Sequence, residues 1–115
     1  MADATIDSAV FEELKETAGA DFVRELVETF LNEAPGMLAE LRRALAAGDA
    51  DRFRRVAHSL KSNSNTFGAS ALAALAKKLE LGGFAVAREG SSEPLSALSA
   101  EYDRVAKALT ELRRA

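Results

Sequence analysis

The chain has 115 residues, 48% apolar and 29% charged, a balance that belongs to one globular domain rather than to a disordered segment. It contains no cysteine and one histidine. That excludes disulfides, thiolate metal sites and cysteine nucleophiles, and leaves any imidazole chemistry to a single position, His58. Net charge is only −3, but residues 1–41 carry −8, residues 42–78 carry +6 and residues 79–115 carry −1. The cationic middle third suits an anionic group or partner, whereas the acidic whole argues against general nucleic-acid binding.

The polar start lacks the basic stretch and apolar run of a signal peptide. The longest apolar run, over residues 71–76, is six residues where a membrane span needs about 20. A cytoplasmic protein without a membrane segment is expected.

Alanine and leucine supply 39 residues and the β-branched Val, Ile and Thr only 12, which favours helices over strands. Asp7 reads as an N-cap, with Ile6 and Phe11 placed to close a hydrophobic staple, and Gly19 ends a short first helix. Over residues 21–47, Val23, Leu26, Val27, Phe30, Leu31, Ala34, Leu38, Leu41 and Leu45 recur at helical spacing. Pro35-Gly36 interrupts that pattern, and a long helix kinked there is expected, because proline lacks a backbone donor and crowds the preceding turn. Gly48 ends that helix, and Asp49 or Asp51 caps the next, whose inward face reads Phe53, Ala57, Leu60, Ser64 and Phe67. Gly68 fits the left-handed position after its last turn. A fourth helix begins near residue 70 with Leu72, Leu75, Ala76 and Leu79 inward, and weakens at Gly82-Gly83, with Phe84 and Val86 placed to continue it. Gly90-Ser91-Ser92 is the clearest polar break, after which Leu95, Leu98, Tyr102, Val105, Leu109 and Leu112 form one seam. The expectation is an all-α fold: an antiparallel four-helix bundle with a short additional N-terminal helix, one domain over residues 1–115 with its core at about 21–113.

The third helix carries the chemistry. At about 100° per residue, Leu60 toward the core places His58 roughly 160° away, in solvent, with Lys61, Ser62 and Asn65 within about 60° of it. Arg54 and Arg55 fall one turn earlier on the same polar side. A neutral imidazole nitrogen is a nucleophile, and neighbouring cations suit a phosphoryl group carried on it. Taken singly, these residues are ordinary: an exposed histidine on an amphipathic helix, a solvated arginine pair, weak helix formers from Ser62 to Thr66, and a surface pair Lys77-Lys78. No strand leads into a glycine-rich turn, and neither a P-loop nor kinase motifs are present, so phosphate is not taken from bound ATP by this chain alone. A bundle-type metal hydrolase needs a glutamate three residues before its histidine, where Arg55 stands.

The run Ala57-His58-Ser59-Leu60-Lys61-Ser62-Asn63-Ser64-Asn65-Thr66-Phe67-Gly68-Ala69, followed by Leu72, Leu75 and Leu79-Glu80, resembles the histidine-containing phosphotransfer (HPt) domain family. Phe30, Pro35, Leu38, Leu41 and Leu45 ahead of Gly48-Asp49 are similar to the same family. The resemblance covers about residues 7–112 and implies a freestanding phosphocarrier of a two-component multistep phosphorelay rather than an enzyme. It implies that His58 takes a phosphoryl group from a receiver-domain aspartate and passes it to another receiver, with Lys61 neutralising phosphoryl oxygens. Gly68 matches the glycine that closes the helix. Glu80 falls where the family often places Gln or Glu near the imidazole, and a hydrogen bond from the ring would orient it and fix its tautomer. Arg54, Arg55, Ser62, Asn65, Lys77 and Lys78 are expected to meet the partner. Ser62 departs from the family's usual glycine, where the receiver packs tightly. No cofactor is expected on this chain, since the resemblance places Mg²⁺ and its acidic cluster on the receiver. Expected partners are response-regulator receiver domains and a hybrid sensor histidine kinase, met by a monomer, without nucleic acid or membrane. The alternative is a helical-bundle docking or adaptor protein that is never phosphorylated.

Overall fold

The computed structural model describes residues 5–88, 90 and 93–114. Helix α1 (Ser8–Ala18) starts where expected: the Asp7 carboxylate accepts from the backbone N–H groups of Ala9 at 3.0 Å and Val10 at 3.4 Å. Ile6 and Phe11 are both buried, as a staple requires. Gly19, at φ +93°, turns the chain directly into α2 (Ala20–Ala47).

Helix α2 runs unbroken through Pro35-Gly36, the long helix expected. Pro35 has no N–H for the Leu31 carbonyl four residues back, which would ordinarily be left without its helical partner. Tyr102, from the last helix, donates its hydroxyl to that carbonyl at 3.4 Å. Its ring packs edge-on against Phe30, with centroids 5.9 Å apart, and Phe67 lies 5.4 Å from Phe30 on another side.

Gly48, at φ +71°, closes α2, and the Asp49 carboxylate caps α3 (Ala50–Thr66) by accepting from Arg52 N–H at 3.0 Å. The five inward positions of α3, Phe53, Ala57, Leu60, Ser64 and Phe67, are all buried. Ser64 Oγ donates to the Leu60 carbonyl at 2.7 Å and Thr66 Oγ1 to that of Ser62 at 3.1 Å, so these hydroxyls bond within the helix, which runs to Thr66. Gly68 is held by more than its φ of +78°: a Cβ there would lie 3.0 Å from both the Asp7 carbonyl oxygen and Val10 Cβ. The Gly68 carbonyl also accepts from Asp7 N–H at 2.9 Å, which fastens α1 to the end of α3.

Helix α4 (Ser70–Lys78) passes into a π-helical turn, Leu79–Gly83, and then into α5 (Phe84–Arg88). The weakening at Gly82-Gly83 is therefore a wide turn with Gly82 at φ +153°. Arg88 anchors the far side of it: its guanidinium donates at 3.1 Å to the Leu45 carbonyl at the end of α2, which also accepts from Gly48 N–H, and stands over the Phe84 ring. Helix α6 (Glu93–Arg114) completes the bundle. Of the polar break before it, Ser91 and Ser92 lie outside the described residues.

Helices α2, α3, α4 and α6 form a closed ring in which each packs on the next and α6 returns to α2. Val27, Leu41, Phe53, Leu60, Leu72, Leu79, Leu98, Val105 and Leu109 are fully buried at its centre. Each such side chain contributes roughly 1.5–3 kcal/mol by leaving water. The fold is thus the expected antiparallel four-helix bundle with a short N-terminal helix, and its core holds α3 rigidly behind His58.

Candidate functional site: an exposed imidazole backed by a carboxylate

Because Leu60 is fixed inward, His58 points outward, and its side chain is 57% exposed. One ring nitrogen is engaged: Nδ1 lies 2.8 Å from Glu80 Oε2, on the π-helical turn that packs against α3. Among the described residues Nε2 has no partner. Glu80 is only 16% exposed, and its other oxygen, Oε1, has the Lys61 ammonium at 2.8 Å. One carboxylate thus serves both Lys61 and His58.

The Lys61 ammonium first and the His58 ring second hold the Glu80 carboxyl below its usual range, against an opposing push from desolvation. An ionised carboxylate only accepts hydrogen bonds, so Nδ1 is the donor, and in the neutral ring the lone pair then lies on Nε2. The arrangement can present a neutral nucleophile to an incoming electrophile and spread the positive charge that develops on the ring into Glu80.

Lys61 departs from expectation. Its helical phase predicts a solvent-facing side chain, yet it is only 25% exposed, because Glu80, reached from the neighbouring helix, draws it inward. Arg54 and Arg55 are exposed but already paired: both bond Asp51 on their own helix, Arg55 at 3.4 Å. Ser62 and Asn65 are exposed on α3, while Lys77 and Lys78 are exposed on α4 and carry no ion pair among the described residues. Of the expected site residues, only Lys61 and Glu80 are bonded into one cluster with His58. Leu81, which the inward helical pattern passes over, follows Glu80 in the chain and is 71% exposed. Among the described residues no group of three or more His, Asp or Glu side chains is placed to hold a metal.

The chain has counterparts among known proteins. The Hpt domain family matches residues 25–115. The chain belongs to the Hpt family. The Hpt domain described here is similar throughout to histidine-containing phosphotransfer protein B (HptB) from Pseudomonas aeruginosa PAO1, whose crystal structure superposes with a TM-score of 0.88 at 28% identity, covering 98% of this chain and 97% of that one. No curated relative matches. Family and structural neighbour together make this a histidine phosphotransfer protein of the phosphorelay type, a carrier family rather than a kinase family, whose members interact with receiver domains and kinases. No helix among the described residues is long and apolar enough to cross a membrane.

Proposed function

We propose that His58 is the phosphorylated residue and that Nε2 is the atom that carries the group. The observation that carries this reading is the 2.8 Å bond between Nδ1 and the Glu80 carboxylate, which leaves the exposed nitrogen as the nucleophile. In the forward step the Nε2 lone pair attacks phosphorus of a receiver aspartyl phosphate. The N–P bond forms as the P–O bond to the aspartate breaks, and the aspartate leaves as a carboxylate. No proton has to leave Nε2. The ring becomes cationic, and the Glu80 carboxylate faces that charge through the Nδ1 hydrogen. Passing the group to a second receiver reverses these bonds.

Lys61 serves the same group by exchanging Glu80 for a phosphoryl oxygen, a charge-assisted contact within one helical turn of His58. Exposed Ser62, Asn65 and Leu81 beside the imidazole are the surface a receiver meets, with Arg54, Arg55, Lys77 and Lys78 at greater reach. The receiver supplies the Mg²⁺ and the acidic cluster, and this chain acts as a cytoplasmic monomer that neither binds ATP nor catalyses turnover alone. A hybrid sensor kinase stands upstream of the receivers, and nucleic acid and membrane are not partners.

The test is label transfer. Purified protein incubated with a phosphorylated receiver is expected to gain an acid-labile phosphoryl label, and His58→Gln to gain none. A wild-type protein that takes no label from any phosphorylated receiver, or a variant that takes it equally well, refutes the relay reading and favours an unphosphorylated docking bundle.

A further inference from the structure

The π-helical turn that bears Glu80 contains two glycines whose surroundings differ. Gly82 sits at φ +153°, where L-residues are strained, yet an added Cβ there would meet nothing within 4 Å. At Gly83 the reverse holds. A Cβ would lie 2.7 Å from Leu79 Cδ2, 3.2 Å from Leu79 Cβ and 3.3 Å from the Lys78 carbonyl oxygen. Leu79 cannot simply rotate away, because it is buried in the close-packed core beside the fully buried Leu60 and Leu72. Two of the three contacts also fall on its Cβ and on backbone, which move only with the chain. A side chain at either glycine therefore transmits a displacement to residues 78–80, by closing the contact at Gly83 or by forcing Gly82 to another φ.

Glu80 is the next residue. Its hydrogen bond to His58 and its ion pair with Lys61 both span 2.8 Å, and an ångström of movement ends the first as a hydrogen bond and weakens the second. We infer that Gly82 and Gly83 are positioning residues for phosphotransfer: the turn they permit sets the Glu80 carboxylate at the distance that holds the His58 ring with Nδ1 protonated and Nε2 free. This rests on the reading of Glu80 given above. It adds that the ring's state is governed by two glycines that themselves touch neither the phosphoryl group nor the imidazole.

With one histidine in the chain, two-bond ¹H–¹⁵N spectra of ¹⁵N-labelled protein show a single imidazole, so its tautomer is read without assignment. The comparison is wild type, Gly83→Ala, Gly82→Ala and, as control, Gly36→Ala, whose added Cβ meets nothing within 4 Å and whose φ is ordinary. The wild-type ring is expected to be Nδ1-protonated. Both turn variants, folded by circular dichroism, are expected to lose that bias and to take label from a phosphorylated receiver about tenfold more slowly, the kinetic equivalent of one lost polar contact, while the control matches wild type. A folded Gly83→Ala or Gly82→Ala that keeps the wild-type spectrum and rate overturns the positioning role and leaves the Glu80 reading standing. A wild-type ring without the Nδ1–H bias overturns the Glu80 reading itself, and the role of the glycines with it. If Gly83→Ala does not fold, Gly82→Ala, which introduces no steric contact, decides the question.

Discussion

Replacing Tyr102 with phenylalanine isolates the device that lets α2 run through a proline. The phenyl ring keeps its edge-on contact with Phe30, so packing is preserved, and only the hydroxyl donor to the Leu31 carbonyl is lost. A typical intramolecular hydrogen bond contributes about 0.5–1.5 kcal/mol net, and at 3.4 Å this one belongs in the lower half of that range. The acceptor has no helical alternative because residue 35 lacks an N–H, and Leu31 is only partly buried, so water replaces the hydroxyl in part. Together these place the cost at about 1 kcal/mol, or roughly 4 °C in Tm for a domain of this size. The two sites should be coupled: in a Pro35→Ala background the new N–H bonds the Leu31 carbonyl, and Tyr102→Phe should then cost less than half as much. Urea unfolding followed by circular dichroism on the four proteins of this cycle measures the coupling. Equal cost in both backgrounds would refute the claim that Tyr102 serves the carbonyl left by Pro35.

Lys61→Met keeps the aliphatic stem and removes the ammonium, so the fold should persist while label transfer slows about tenfold. In the same variant the Glu80 carboxyl, observed by ¹³C NMR, should titrate closer to its usual range, because its largest stabilising partner is gone; an unchanged titration would contradict the shared-carboxylate geometry. Ser62→Gly should cost about 0.5 kcal/mol of stability through helix propensity, since the side chain is exposed and packs on nothing, yet speed transfer by permitting closer approach. A slower Ser62→Gly would show that close docking at this position does not limit the reaction. Stability should also fall on both sides of a pH plateau. Glu80, held low by Lys61 and His58, and Glu40, held low by Arg52, contribute fully above the unfolded glutamate value of about 4.3, and that contribution is lost as pH falls through their depressed folded values. Tyr102, pushed up by burial, contributes fully below about 10 and loses its contribution as pH rises through the raised folded value. Chemical denaturation across pH checks both limbs, and a Tyr102→Phe protein with an undiminished alkaline limb would contradict the second.

The features legible in the sequence are those whose cause is local. Asp7, Gly48, Asp49 and Gly68 act on backbone groups within one turn of themselves, and the inward face from Phe53 to Phe67 follows from a 3.6-residue period. The features that were not legible depend on residues distant in the chain. Pro35 predicts a kink because its missing donor is visible in sequence, whereas the hydroxyl that replaces it arrives from Tyr102 on the last helix. Lys61 predicts exposure because helical phase is all that sequence shows, whereas its orientation is decided by a carboxylate on another element. The π-helical turn is written only as Gly82-Gly83, which reads equally as a helix end, and the deciding contact is the packing of Gly83 on Leu79. At the site, His58 stands out by composition and phase, but its link to Glu80 comes from family resemblance, and the geometry supplies the physical reason for it.

Charge is where the sequence reading changes most. The +6 segment suggests a supply of cations around His58 for a phosphoryl group. In the folded protein most of that charge is committed: Arg43 and Arg52 to Glu40, Arg54 and Arg55 to Asp51, and Lys61 to Glu80. The difference matters for a carrier. A free ammonium beside the imidazole would add its whole attraction to the phosphorylated state and bias the equilibrium toward keeping the group. An ammonium that must first leave Glu80 adds only the difference between two anionic partners, and the carboxylate it leaves remains opposite the newly cationic ring. In the proposed exchange the barrier to charge development falls while the resting equilibrium shifts little, which suits a protein that must release whatever it accepts.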